Sequence, residues 1–166
     1  MIHKFLNKDL YVSTLIISLI FFLDRFSKIF IIQQDKISFG SDIFNSTYLN
    51  IVLIWNEGIA FGLFSFSEAK FYNILSLIIS VIIIILVTMT LKSKGIKRYS
   101  LLMIVGGALG NLYDRLIFSA VPDFIDFHVR DFHWFIFNVA DIFITIGVIC
   151  LIFDEIFMEK YENETN

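Results

Sequence analysis

The sequence predicts an all-α integral membrane protein: four transmembrane helices, with a small external β-rich subdomain between helices one and two. Three observations carry that expectation. Of the 166 residues, 57% are hydrophobic and twenty are Phe, against about 45–50% apolar residues in a soluble domain. The mean hydropathy is +0.78. The apolar residues also fall into blocks near the ~20 residues that cross a ~30 Å hydrocarbon core.

In chain order, residues 10–32 come first and are apolar except for Asp24, Arg25 and Lys28. They have the basic start of a signal peptide but no small-x-small cleavage site, so they read as a retained first helix. In the loop 33–70, Thr47 to Trp55 is rich in β-branched and aromatic residues, which favours a strand. Gly58 and Gly62 break the pattern beyond Trp55. Residues 71–91 carry no charge and form the second span. Residues 99–118 form the third, interrupted by Asp114 and Arg115. Residues 134–153 form the fourth, with Asp141 as its one charge. The polar tail from Glu159 is expected to fray. The chain reads as a single membrane domain, 1–166.

Between spans two and three, residues 92–98 carry four positive charges in seven positions. Lys4 and Lys8 add to the same end. The positive-inside rule therefore puts both termini and the 92–98 loop in the cytoplasm, and the 33–70 and 119–133 loops outside. The net charge of −3 is spread along the chain, which leaves no nucleic-acid footprint. A single cysteine, Cys150, excludes an internal disulfide framework and a multi-cysteine metal site. His128 and His133 share no i, i+4 spacing, so no metal site is predicted.

A carboxylate at membrane depth is costly and usually functional. Asp141 is the sole charge of its span, and Asp123 lies just past the outer end of span three. At 1.5 Å per residue, Asp24, Asn111 and Asp141 lie roughly 20, 18 and 21 Å above the inner face. Polar groups from separate helices thus converge near the outer leaflet, as a shared site requires. Asn111, Asp114 and Arg115 lie on one helix face at i, i+3 and i+4; Asn138 and Asp141 do the same at i, i+3. Gly106 and Gly110 have the small-xxx-small spacing of close helix packing. Plainer readings stand beside these. Asp114 with Arg115, or Asp24 with Lys28, also reads as an interfacial ion pair, and Asn56-Glu57-Gly58 as a turn. Intramembrane carboxylates equally build the relays of a small proton- or ion-coupled transporter, although the chain shows no internal repeat.

Taken together, five segments resemble the bacterial lipoprotein signal peptidases (signal peptidase II). Asp24-Arg25-Phe26-Ser27-Lys28 matches D-x-x-S/T-K, and Asn56 to Phe61 matches N-x-G-x-A-F. Gly106 to Arg115 matches G-G-A-x-G-N-x-x-D-R, Val121 to Phe124 matches V-x-D-F, and Phe137 to Asp141 matches F-N-x-A-D. The chain departs from the usual pattern at Pro122 and Ile142, neither of them a functional side chain. The resemblance implies an aspartic endopeptidase of the bacterial inner membrane with Asp123 and Asp141 as its catalytic dyad. Asn56, Asn111, Asp114, Arg115 and Asn138 become supporting or substrate-contacting residues, and Asp24 and Lys28 structural support. It implies no cofactor and no metal. The implied substrate is a prolipoprotein cut before a diacylglyceryl-modified cysteine, met among membrane lipids. The oligomeric state is left open, and a monomer suffices.

Overall fold

The computed structural model describes residues 2–58, 68–130 and 132–165. Its order is α1 (Ile2–Ile37), β1 (Leu49–Asn56), α2 (Glu68–Lys92), α3 (Gly95–Phe118), β2 (Val121–Val129), β3 (Phe132–Phe137) and α4 (Val139–Thr165). The protein is thus mostly helical with one small antiparallel sheet, β1-β2-β3.

Helix α3 is the central post, packed against α1, α2 and α4. Its glycines make that possible. A Cβ on Gly106 would stand 3.0 Å from Ile20 of α1, and one on Gly107 would stand 2.5 Å from the Ala140 carbonyl oxygen of α4. Leu101, Leu102 and Val105 fill the remaining contact face and are buried. Helix α2 instead exposes Ile74, Leu77, Ile78, Val81, Ile82, Ile84 and Ile85, a surface suited to lipid rather than water. Among the described residues, two helices are long and apolar enough to cross a membrane, Tyr72–Lys92 and Gly95–Phe118. In α1 the charges at Asp24, Arg25 and Lys28 interrupt the run, and in α4 the apolar stretch is bounded by Asp141 and by Asp154 with Glu155.

At one end of the bundle, Lys97 pairs with Glu155 at 3.0 Å and Arg98 with Asp9 at 3.0 Å. The start of α1, the α2–α3 turn and the latter part of α4 therefore lie together. At the other end sits the sheet. The predicted strand over 47–55 is present as β1, but the sheet is not confined to the α1–α2 connection. Two of its strands come after α3, in a segment expected to be loop (119–133) and the start of a span (134–153). β3 occupies 132–137, and α4 begins only at Val139. Arg130, with φ 55°, belongs to the turn of the β2–β3 hairpin. The polar tail expected to fray continues α4 to Thr165. Gly62 and residues 59–61 of the N-x-G-x-A-F match lie outside the described residues.

Candidate active site

The site begins at the junction of β3 and α4. Asn138 stands at the helix N-cap position, with its side-chain Oδ1 accepting from the Asp141 N–H at 3.1 Å. The Asp141 carboxylate accepts in turn from the Asn138 N–H at 3.2 Å. This is a capping box, in which two otherwise unmet helix N–H groups are satisfied reciprocally. A third, that of Ala140, donates to Asp24 Oδ1 of α1 at 3.0 Å. Asp141 therefore lies in the first turn of α4, at the positive end of the helix dipole. The expected placement of Asp141 well inside a span beginning at residue 134 is corrected, because β3 runs to Phe137 and α4 begins only at Val139.

Asn138 also joins the two aspartates. Its Nδ2 donates to Asp123 Oδ1 at 2.6 Å, while Oδ1 holds the Asp141 backbone. These two bonds fix the orientation of its amide. Asp123 comes from β2 and is buried. Its other oxygen accepts from Asn56 Nδ2 at 2.8 Å, across the β1–β2 pairing. The Asn56 Oδ1 accepts the Gly58 N–H at 2.8 Å, in a turn where Gly58 has φ 75°. Asn56 is thus both the turn expected from Asn56-Glu57-Gly58 and a contact of Asp123. Burial pushes the Asp123 carboxyl above its usual range; the Asn56 and Asn138 amides oppose that rise, and Asp141 adds to it.

Beneath the aspartates lies a buried ionic layer. Lys28 Nζ donates to Asp24 at 2.9 Å, Asn111 Oδ1 at 2.8 Å and Asp114 Oδ2 at 2.7 Å. All three of its donors are used. Asn111 Nδ2 passes on to Asp141 Oδ1 at 2.8 Å, so an unbroken chain runs from Asp114 through Lys28 and Asn111 to Asp141. Gly110 leaves the space for Asp24, since a Cβ there would stand 2.6 Å from Asp24 Oδ2. The Asp24–Lys28 pair exists, but it lies wholly buried in the cluster.

Asp114 does not pair with Arg115. It is held by Arg25, which grips both carboxylate oxygens, bonds Asp24 at 2.9 Å and lies 4.9 Å over the Tyr113 ring. Arg25 is the residue sequence reasoning missed. It stands at an unspecified position of the D-x-x-S/T-K pattern, and the one available signal was a second cation in an apolar span. Arg115 makes no ion pair among the described residues. Its Nη1 donates to the Asn111 carbonyl at 3.3 Å, and the charges acting on it are Asp141, Asp123 and Asp114.

Two openings meet the aspartates. A cleft of about 350 Å³ is lined by Ile54, Trp55, Asn56, Glu57, Asp123 and Ile136. A groove of about 420 Å³ runs past Asp141, with Trp134, Phe135, Phe137, Ile142 and Thr145 on its walls. The first is part polar and the second strongly apolar.

This architecture belongs to a class of bacterial membrane enzymes. One solved with the in meso method at 1.9 Å resolution matches with TM-score 0.72 and 32% identity, over 86% of this chain and 91% of that one. A second, at 2.3 Å, matches with TM-score 0.68 and 30% identity over 87% of each chain. A family model described as signal peptidase (SPase) II matches residues 16–157. A lipoprotein signal peptidase of Pelagibacter ubique is 48% identical over 99% of both chains, and one of Anaplasma phagocytophilum is 42% identical over 83% of this chain and 87% of its own. The chain belongs to the signal peptidase II family of proteases. That membership displaces the transporter reading.

Proposed function

We propose that this protein removes the signal peptide from prolipoproteins bearing a diacylglyceryl-modified cysteine, cutting before that cysteine with Asp123 and Asp141 as an aspartic dyad. The observation that carries the reading is the Asn138 amide, which ties the two aspartates of the family's V-x-D-F and F-N-x-A-D segments into one site. Charge balance supports it. Arg25, Lys28 and Arg115 face Asp24, Asp114, Asp123 and Asp141, so one proton held by the dyad makes the cluster neutral. Neighbouring carboxylates that share a proton are the working state of an aspartic protease.

In this mechanism Asp123, buried and raised, holds the proton, and Asp141 at the helix N-terminus is the ionised partner. Asp141 takes a proton from a bound water as the water oxygen attacks the scissile carbonyl. Asp123 donates its hydrogen to the carbonyl oxygen. Collapse of the tetrahedral intermediate breaks the C–N bond; the proton on Asp141 passes to the leaving amine, and the diol returns its other proton to Asp123, leaving a carboxylic acid product and the dyad as it began. The dyad needs no metal for these steps. Asn56, Asn111 and Asn138 orient the carboxyls. Arg115 is free to meet the substrate, and the apolar groove beside Asp141 suits acyl chains.

In the membrane, all four helices span the bilayer, with the turn at 92–98 and both termini in the cytoplasm and the sheet and dyad at the outer leaflet. The substrate's lipid would hold its cleavage point at that depth. The test is incubation of purified protein in detergent with a diacylglyceryl-modified signal-peptide substrate and its unmodified counterpart. Cleavage of the modified substrate alone, releasing a lipidated N-terminal cysteine, is the expected result. Equal cleavage of both, or of neither, contradicts the proposal.

A further inference from the structure

We propose that the β2–β3 hairpin carries a binding site for a divalent transition metal, zinc above all, built from Asp126, His128 and His133. Asp126 and His128 are two residues apart on β2, on either side of an irregularity in the β2–β3 register. His133 stands directly opposite His128 on β3. The pairing brings together two histidines that have no helical spacing in the sequence. One donor atom from each of the three residues lies within 4.8 Å of the others. The two imidazoles stack with centroids 5.0 Å apart and planes at 20°. His133 Nδ1 lies 3.0 and 2.9 Å from the two oxygens of buried Asp126. His128 Nδ1 is buried with no hydrogen-bond partner among the described residues, and it is a nitrogen able to ligate a metal. Two imidazoles and one carboxylate form a donor set suited to zinc, nickel or copper(II), with water completing the coordination. The site lies on the strand that carries Asp123 and the strand that leads into Asn138. A bound metal would clasp the hairpin connecting the two aspartates, acting on stability and not on the bond cleaved.

The site is tested with tag-free protein in detergent, stripped by a chelator and titrated with Zn²⁺ against a chromophoric competitor. One equivalent should bind per chain. His128→Ala and His133→Ala should each weaken binding by about tenfold or more, and His3→Ala should not. Zinc should raise the Tm of the parent and of Asp123→Asn, but not that of either hairpin variant. His133→Gln, closer in size, guards against misfolding of the alanine variants and should show the same loss. Absence of zinc binding in the parent, or binding unchanged when either hairpin histidine is removed, would overturn the proposal.

Discussion

Two arginines one helix apart divide the work of the site. Arg25 is committed to Asp114 and Asp24, whereas Arg115 pairs with no carboxylate among the described residues. Arg25→Ala should therefore cost about 3–5 kcal/mol of stability, because it strips a partner from buried carboxylates. Arg115→Ala should leave the Tm close to the parent's while lowering turnover roughly tenfold or more, the scale of a lost charge-assisted hydrogen bond. Thermal unfolding and cleavage rates on both variants check the division; a stable Arg25→Ala or an active Arg115→Ala contradicts it. Asp123 sets the pH response. Its raised value means that the folded state holds the proton more tightly than the unfolded chain does. Its stabilising contribution is full below the ordinary aspartate value and disappears as pH rises through the raised one. In the proposed mechanism activity needs the same proton, so the rate should fall on that alkaline limb, above the pH where an exposed aspartate has already ionised. A rate still rising through that window would show that Asp123 works ionised.

The elements matter because they bring the two aspartates together. Close contact of α3 with the first turn of α4 depends on Gly107, so Gly107→Ala should push α4 outward and separate Asp141 from Asn111. A shift of about 1 Å at reacting groups can cost on the order of 10²-fold in rate, and cleavage should fall by that order although no polar group is lost. Wild-type turnover in Gly107→Ala would mean that the helix contact has slack. The sequence made α1, α2 and α3 legible, because their apolar runs end in charges or turns. It also revealed β1, whose Ile51-Val52-Leu53-Ile54-Trp55 run has no helical competitor. It concealed β2, because Pro122 and two aspartates oppose strand propensity, and pairing with β1 and β3 on either side overrides them. It merged most of β3 into α4, since Trp134 to Phe137 runs on toward the helix as one apolar block and hydropathy alone does not separate a short apolar strand from helix. Asn138 as an N-cap was the available boundary signal. The candidate site residues were legible as five separate segments. Their joining through Asn138, and the role of Arg25, depend on side-chain directions that spacing does not give.

At the scale of the molecule, ion pairs place the start of α1, the 92–98 turn and the latter part of α4 at one end, with the sheet and aspartates at the other. In a Cys150→Ser background, a cysteine replacing exposed Asp42 should react with an impermeant thiol reagent in spheroplasts, and one replacing Ser93 should react only after lysis. Reversed labelling would invert the proposed topology. In the proposed arrangement the bundle holds two carboxyls at an outer membrane edge, and these carboxyls perform the cleavage. The most direct test is the turnover of a diacylglyceryl-modified signal-peptide substrate by Asp123→Asn and Asp141→Asn, each first matched to the parent in Tm. Amide replacement preserves shape and removes the acid–base function. Each variant should lose about 10²–10⁴-fold in rate. A folded variant of either kind that cleaves within about tenfold of the parent would contradict the dyad.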